Sequence, residues 1–457
     1  MLWSTKPVTA LAATLLLAAC SSNDSGVDDA AVNADAAVLA DAGTPTDGPL
    51  GGTDAAVFDP GPEPTSPMTP VFGELTIIQL DVTSPTLTLG ESAIIVGPDG
   101  TIALLDVGGV RHDDDVRDAV MELNTVHLTP ANGYPARTAL QVEWMIITHF
   151  HGDHVGSFED LMVTASSPLT ITKGIVHRGF VDLGAAMNEG HYETFCTAMR
   201  GSLTSVDVPL CETSETPSCV FGNLTGAHAA TGCPGLHVGD LDDPADDTAG
   251  APTFLDLGGG ARLTLVAANA HVSNGTSAVA APAFGHSDGN QENARSLAGV
   301  ISHGDFRYHF GGDMTGAGTT AAPDIESHLI NVAGATFYGA LGVDVAHVHH
   351  HVRRTSSNAT LIDGLAPNDG KSRNAVGGIS AGHANSPHLE TLEAWAGNNR
   401  LRDGRIWVTR VATLGDTHAR QVEADGNVIV QTIQAGLGYR VQAAGSALFS
   451  LPFESVR

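Results

Sequence analysis

Three histidines and an aspartate fall within six residues of the segment Ile146-Ile-Thr-His149-Phe-His151-Gly-Asp153-His154-Val-Gly156. Imidazole nitrogens with a carboxylate suit Zn(II) or a similar first-row divalent cation. Gly152 and Gly156 let the backbone turn sharply, so side chains at i, i+2, i+4 and i+5 can converge on one point. One short loop rarely completes a metal site, so ligands from remote segments are required. Three other segments offer acids or histidines: Asp106 closes Ala103-Leu-Leu-Asp-Val-Gly-Gly109, Asp313 lies in Gly311-Gly-Asp-Met, and His349-His-His351 forms a triplet.

Each of these groups follows an apolar run that reads as a strand. Leu75–Leu80, Ser92–Val96 and Thr101–Leu105 are short runs split by turn residues such as Gly97-Pro-Asp-Gly100. Val142–Ile147 precedes the histidine loop, Phe306–Phe310 precedes Asp313, and Val343–Val348 precedes the triplet. Further strands are expected at Arg262–Ala267, Ser296–Ser302, Ala375–Ser380, Ile406–Val411 and Val428–Ile433. Helical spacing appears at 113–123, 157–163, 322–333 and 387–396. No repeat of fixed period is visible, and hairpins mixed with helices suggest sheets covered by helices.

The His-x-His-x-Asp-His pattern, with Asp106, Gly-Asp313 and the late histidines in this order at strand ends, resembles the metallo-β-lactamase superfamily over most of 73–400. The resemblance implies an α+β fold, the αββα sandwich of two mixed sheets flanked by helices, with the site at the sheet edges. It gives His149 and His151 to one cation and Asp153 and His154 to a second, with Asp313 bridging and His350 completing the second site. His349 or His351 could take that last place, and the unused histidines would then support the ligands from behind. By order, the family's third-motif histidine is His271, with His286 and His177 as alternatives. Asp106 and Asp153 are the implied catalytic carboxylates. Two divalent ions, Zn with Mn or Fe as alternatives, would share the anion Asp313, and a water held between them would lose a proton near neutral pH and attack an ester or phosphoester.

A closer resemblance is to the hydrolase-like domain of competence-type DNA-uptake proteins. It rests on Ile78-Gln-Leu-Asp81-Val, Glu292-Asn-Ala-Arg-Ser-Leu297, the Gly-Asp motif, the triplet with Ser356-Ser357, and Gly378-Ile-Ser-Ala-Gly382 followed by Pro387-His388. Val352 stands where that group has a glycine after its paired histidines, Asn385-Ser-Pro387 replaces Gly-His-Pro, and the wording after Asp81 differs. The substrate expected is a small anionic ester, phosphoester before lactone or lactam. Arg353, Arg354 and Ser356, with Ser357 and Asn358, are donors suited to its oxygens, and His383 or His388 to protonating its leaving group. The competing readings are an inactive fold of this type serving as a tethered binding module, or an iron-dependent redox relative.

The 457-residue chain carries 51 acids against 21 Lys and Arg, a net charge of −30. Such an excess argues against a broad nucleic-acid surface. Nine of those acids fall in residues 21–70, which hold no Lys or Arg and no apolar periodicity, so 21–71 reads as a disordered tether and 72–457 as the folded body. Before the tether, Lys6 and the apolar run Leu11–Ala19 read as an export signal over 1–20. Leu17-Ala-Ala-Cys20 resembles a bacterial lipobox, which implies lipidation at Cys20 and anchoring at the outer membrane. Residues 180–260 are irregular and read as an insertion. Cys196, Cys211, Cys219 and Cys233 lie there, and in an exported protein one or two disulfides of undetermined pairing are expected before a four-thiolate zinc site.

Overall fold

Short runs of Ile, Val, Leu and Ala between turns give strands covered on both faces, so they read as continuous apolar segments rather than alternating ones. The computed structural model describes residues 68–82, 90–177, 254–268, 270–276, 278–281, 292–319, 322–379, 386–412, 415–444, 450 and 452–456, with His191, Thr194, Phe195 and Ala198. The expectations placed on Cys20, the tether as far as residue 67, the four later cysteines, His286 and His383 lie outside these residues; at 68–71 the chain is already part of the body, with Met68 buried in a core.

The first sheet is built from β1 (Thr76–Gln79), β2 (Ala93–Val96), β3 (Ile102–Leu105), β4 (Gln141–Ile147) and β5 (Thr170–His177). The second follows, with β6 (Phe254–Asp256), β7 (Arg262–Ala268), β8 (His271–Ser273), β9 (Ala278–Ala280), β10 (Ala298–His303), β11 (Phe306–Phe310), β12 (Val345–His347), β13 (Asn374–Gly377), β14 (Ile406–Val408) and β15 (Gln421–Glu423). The chain then returns to the first sheet with β16 (Val428–Ile433), β17 (Gly438–Ala443) and β18 (Phe453–Glu454). The first sheet runs β18-β17-β16-β1-β2-β3-β4-β5; the second runs β15-β14-β13-β12-β11-β10-β7-β8-β9, with β6 paired to β7. Both are mixed: β3, β4 and β5 pair in parallel, as do β11 to β15, and the rest pair antiparallel.

Successive residues of one strand point to opposite faces, and each face has its own core. Between the sheets, Ile77, Ile95 and Ile146 of the first join Leu265, Ile301 and Tyr308 of the second. On the outer face of the first sheet, Ile94, Leu104 and Met145 join Val116 and Val120 of helix α1 (Asp113–Glu122). These two valines are one helical turn apart and fully buried, each contributing about 2 kcal/mol by removal from water. On the outer face of the second sheet, Val300, Ala346 and Ala375 join side chains of three helices. After a short helix, α2 (Gly152–Val155), these are α3 (Ile325–Ala333), α4 (Ala359–Leu365) and α5 (Leu389–Ala396). The order is therefore helix, sheet, sheet, helix.

Helix α3 starts later than the spacing over 322–333 predicts, because Asp324 is its cap: the Asp324 carboxylate accepts from Ser327 N at 2.8 Å. Among the described residues no helix is long and apolar enough to cross a membrane. The topology also fixes where a site can form. The C-terminal ends of parallel strands β3 and β4 in one sheet, and of β11, β12 and β13 in the other, lead into Asp106, the histidine loop, Gly311–Asp313, the triplet and Gly378. Loops at such strand ends are the usual ligand-binding edge of a parallel sheet.

Candidate metal centre

Asp106 leaves β3 with a positive φ of 55°, a conformation that aspartate tolerates better than most residues. Its buried carboxylate organises the loop after β4. Oδ1 accepts from Thr148 N at 2.7 Å, and Oδ2 accepts from Thr148 Oγ1 at 2.7 Å and from His154 Nδ1 at 2.8 Å. Since the Thr148 hydroxyl has given its proton to Asp106, it accepts from His149 Nδ1 at 3.1 Å. Both rings are thereby held with Nδ1 as the donor to its own partner and Nε2 turned inward.

Asp313 receives them. Its Oδ1 lies 3.2 Å from His154 Nε2 and 3.7 Å from His351 Nε2, while Oδ2 lies 3.8 Å from His149 Nε2 and 3.7 Å from His350 Nε2. Gly311 and Gly312 make the approach possible. A Cβ on Gly311 would sit 2.2 Å from His349 Nε2, and Gly312 has a φ of 51°. His351 Nε2 is also 3.1 Å from Asp153 Oδ2, and its Nδ1 faces Gly378 O at 3.1 Å and Glu91 Oε2 at 3.2 Å. The other Glu91 oxygen meets His347 Nε2.

Two groups of donors result: Glu91, His154, Asp313 and His351, all buried, and His149, His151 and Asp313, with one atom from each member of a group inside a 4.8 Å spread. His149 Nε2 and His151 Nδ1 are 3.0 Å apart. Ligands of one Zn-sized cation, with bonds near 2.1 Å, stand about 3.4 Å from each other in a tetrahedron. The separations here, 3.0–3.8 Å, bracket that value. The buried atoms His154 Nε2 and Asp313 Oδ1 face each other without a hydrogen-bond partner. Such paired orphans are costly in a packed interior, and a cation satisfies both. These His, Asp and Glu groups can hold a metal ion.

The electrostatics are those of carboxylates surrounded by rings. Burial would raise Asp313, but His154, His351 and His350 hold its carboxyl well below the ordinary range. Burial likewise works against Glu91, and the imidazoles of His347 and His351 bring it to about 2. His351, although buried, is raised to about 10 by Asp313, Asp153 and Glu91, and His154 is raised well above its ordinary value by Asp313, Asp106 and Asp153. Burial, reinforced by His154, pushes His149 well below 6.5. Asp106 is pushed up by burial, against the pull of His154 and Thr148.

The structure thus brings together His149, His151, Asp153, His154, Asp106 and Asp313. From the triplet it places His351 in the second group, whereas His350, 3.7 Å from Asp313 Oδ2, is in neither. His349 turns away: its Nδ1 meets Glu326 Oε1 at 2.7 Å and its Nε2 meets His309 Nε2 at 2.9 Å, in a chain that continues to Tyr338 OH. His271 is in neither group; it lies half-buried on β8, paired to Ala268 and Ala280. His177 ends β5 packed on Phe150 and Phe195. Arg353 is half-buried and Arg354 exposed, while Ser356 is buried with an unpartnered hydroxyl. His388 sits beside the triplet's segment, its N donating to Val352 O at 2.9 Å.

Glu91, Thr148 and Glu326 were not singled out by sequence reasoning. Glu91 had a readable signal, since the hairpin pairing Ala93 with Leu105 sets residue 91 beside the turn that carries Asp106. Glu326, in the first turn of α3, had none. It accepts from His349 Nδ1, Ser357 N (2.7 Å) and Asn358 N (2.8 Å) across more than twenty residues of intervening chain. No family model matches the chain, and no curated protein is significantly similar to it.

Proposed function

We propose that the chain is a binuclear metal-dependent hydrolase of the metallo-β-lactamase type, acting on a small phosphoester or a related anionic ester. The observation that carries this reading is the division of one buried carboxylate, Asp313, between two sets of histidines at ligand-to-ligand distances. The four-layer body with its site at the ends of parallel strands agrees with it. When bound, divalent cations would supply Lewis acidity and make a nearby water easier to deprotonate.

The chain's own residues do the rest. His149 and His151 with Asp313 would hold one ion; His154, His351 and Glu91 with the same aspartate would hold the other, with Asp153 beside His351. Asp106 and Thr148 keep the imidazoles in the ligating tautomer. Arg353 and Arg354 supply positive charge beside the triplet, where an anionic group can be oriented, and the unpartnered hydroxyl of Ser356 can donate to it. A site enclosed by buried carboxylates suits a compact ester better than a long polyanion. The lipobox-like Leu17–Cys20 and the acidic segment after it support export and a lipid anchor.

The test is hydrolysis of bis-p-nitrophenyl phosphate by the metal-replete body of the protein, beside Asp313→Ala and His151→Ala. Hydrolysis lost in both variants is expected. A wild-type protein that takes up no divalent ion during metal-replete purification would overturn the reading.

A further inference from the structure

The first donor group has two imidazoles and one carboxylate, fewer than the second, and His271 does not reach it. We propose that His350 supplies its missing histidine, so that two consecutive residues of the triplet serve the two pockets on opposite sides of Asp313. The inference rests on the binuclear reading above.

Four rings of the site share one arrangement. In His149, His154 and His351, Nδ1 is tied to a partner of its own (Thr148, Asp106, and Gly378 with Glu91) and Nε2 faces Asp313. His350 repeats it: Thr355 Oγ1 lies 2.7 Å from Nδ1, and Nε2 lies 3.7 Å from Asp313 Oδ2. That oxygen is also the one facing His149 Nε2, at 3.8 Å, so His149 and His350 share Oδ2 as His154 and His351 share Oδ1. Asn293 Nδ2 stands 3.2 Å from His350 Nε2, and a donor in that place requires a lone pair on the ring nitrogen, as a metal ligand does. His350 lies outside the 4.8 Å spread of the first group and would draw in as Asn293 gives up its contact. His349, by contrast, has both ring nitrogens engaged away from Asp313.

The backbone bears the cost of this placement. His350, His351 and Val352 have φ of 54°, 54° and 63°, three consecutive left-handed residues without a glycine among them. Left-handed backbone at non-glycine residues is unfavourable, and strain of this kind persists where the surrounding structure imposes it, most often at functional sites. A β-strand would send neighbouring side chains to opposite faces, and here the left-handed run brings both Nε2 atoms to Asp313.

Zn(II) titration of the full chain against a chromophoric chelator tests the assignment, with folding of each variant followed by circular dichroism. Wild type should bind two equivalents. His350→Ala should keep one at wild-type affinity and weaken the other more than about 100-fold, since loss of an outer partner alone costs 10–100-fold. Thr355→Val, which leaves the ligand and removes its Nδ1 partner, should weaken the same ion about 10-fold and serves if the alanine variant does not fold. His271→Ala should change neither ion. Two ions bound with unchanged affinity by His350→Ala, or an ion lost in His271→Ala, would overturn the assignment while leaving the binuclear site intact. A wild-type chain that binds no Zn(II) would remove the binuclear reading itself.

Discussion

Asp106→Asn changes one atom, and its effect can be followed through the site. Oδ1 can go on accepting from Thr148 N, but an amide nitrogen now stands where Oδ2 accepted from Thr148 Oγ1 and His154 Nδ1. The new donor forces His154 to accept at Nδ1, which moves its proton to Nε2, opposite Asp313 Oδ1 at 3.2 Å. The Thr148 hydroxyl must likewise turn and donate to His149 Nδ1, which puts a proton on His149 Nε2. One isosteric change therefore reverses the polarity of a ligand in each pocket. Each ion should bind 10–100-fold more weakly, about 1.4–2.7 kcal/mol, as expected when the partner behind a ligating imidazole is lost. The flipped amide keeps both tautomers but opposes two N–H groups at Thr148 N, which costs about 1–3 kcal/mol of folding stability. Metal affinity by chelator competition and stability by urea unfolding of the metal-free chain distinguish the two. If Asp106→Asn matches wild type in both, Asp106 does not set the tautomers and the reasoning fails.

Other outcomes follow from single contacts. Glu326→Ala strips acceptors from three donors, His349 Nδ1, Ser357 N and Asn358 N, and at about 1–3 kcal/mol each should lower the urea-derived stability by at least about 3 kcal/mol. A loss under about 1 kcal/mol would show that the strap from 349 to 358 does not depend on it. Asp344 is buried, with Oδ2 accepting from Arg307 N and Oδ1 from Val456 N, and burial holds its carboxyl at about 7 in spite of Arg373 and Arg307, with Tyr439 also close by. The folded chain binds this proton more tightly than the unfolded chain, so the contribution is full below about pH 4 and is lost as pH rises through 7. Three pH units correspond to about 4 kcal/mol. Relative to Asp344→Asn, wild type should lose stability across that window, and parallel pH profiles would refute the assignment. Zn(II) at a hundred times its dissociation constant should raise stability by about 2.7 kcal/mol per ion, measured by thermal unfolding with and without chelator, and Asp313→Ala should abolish the rise.

What the sequence made legible was local. His149, His151, Asp153 and His154 sit within one loop, so their spacing alone announces a site, and the apolar runs before them, before Asp313 and before the triplet correspond to β4, β11 and β12. Elements at and next to the sheet edges were harder to read. β5 has exposed Thr170, Thr172 and Lys173 along it, so its apolar pattern is weak, and β17 is recognisable chiefly as the antiparallel partner of β16. The choice within the triplet was not readable, because it turns on left-handed backbone at non-glycine residues, which no residue type there signals. His271 had the expected order in the chain but lies on β8, second from the edge of its sheet at β9, where strand order rather than sequence order decides reach.

The acidic composition also takes on a different meaning at the site. Among the described residues, the ion-pair partners of Glu91, Asp106 and Asp313 are histidines, with no Lys or Arg in contact with them. Burying a carboxylate costs several kcal/mol unless a charge or good hydrogen bonds offset it, and an imidazole offsets it only while it carries a proton. His154 and His351 have the raised affinity for protons that this requires. A permanent guanidinium would stabilise the same carboxylates more simply, and would also close the pocket to other cations. Histidine is the residue that can surrender its proton to a metal ion and keep the charge balanced. The sequence spends several buried histidines where one or two arginines would serve a purely structural core, and that choice of residue types supports an exchangeable cation as what the cluster is built to hold.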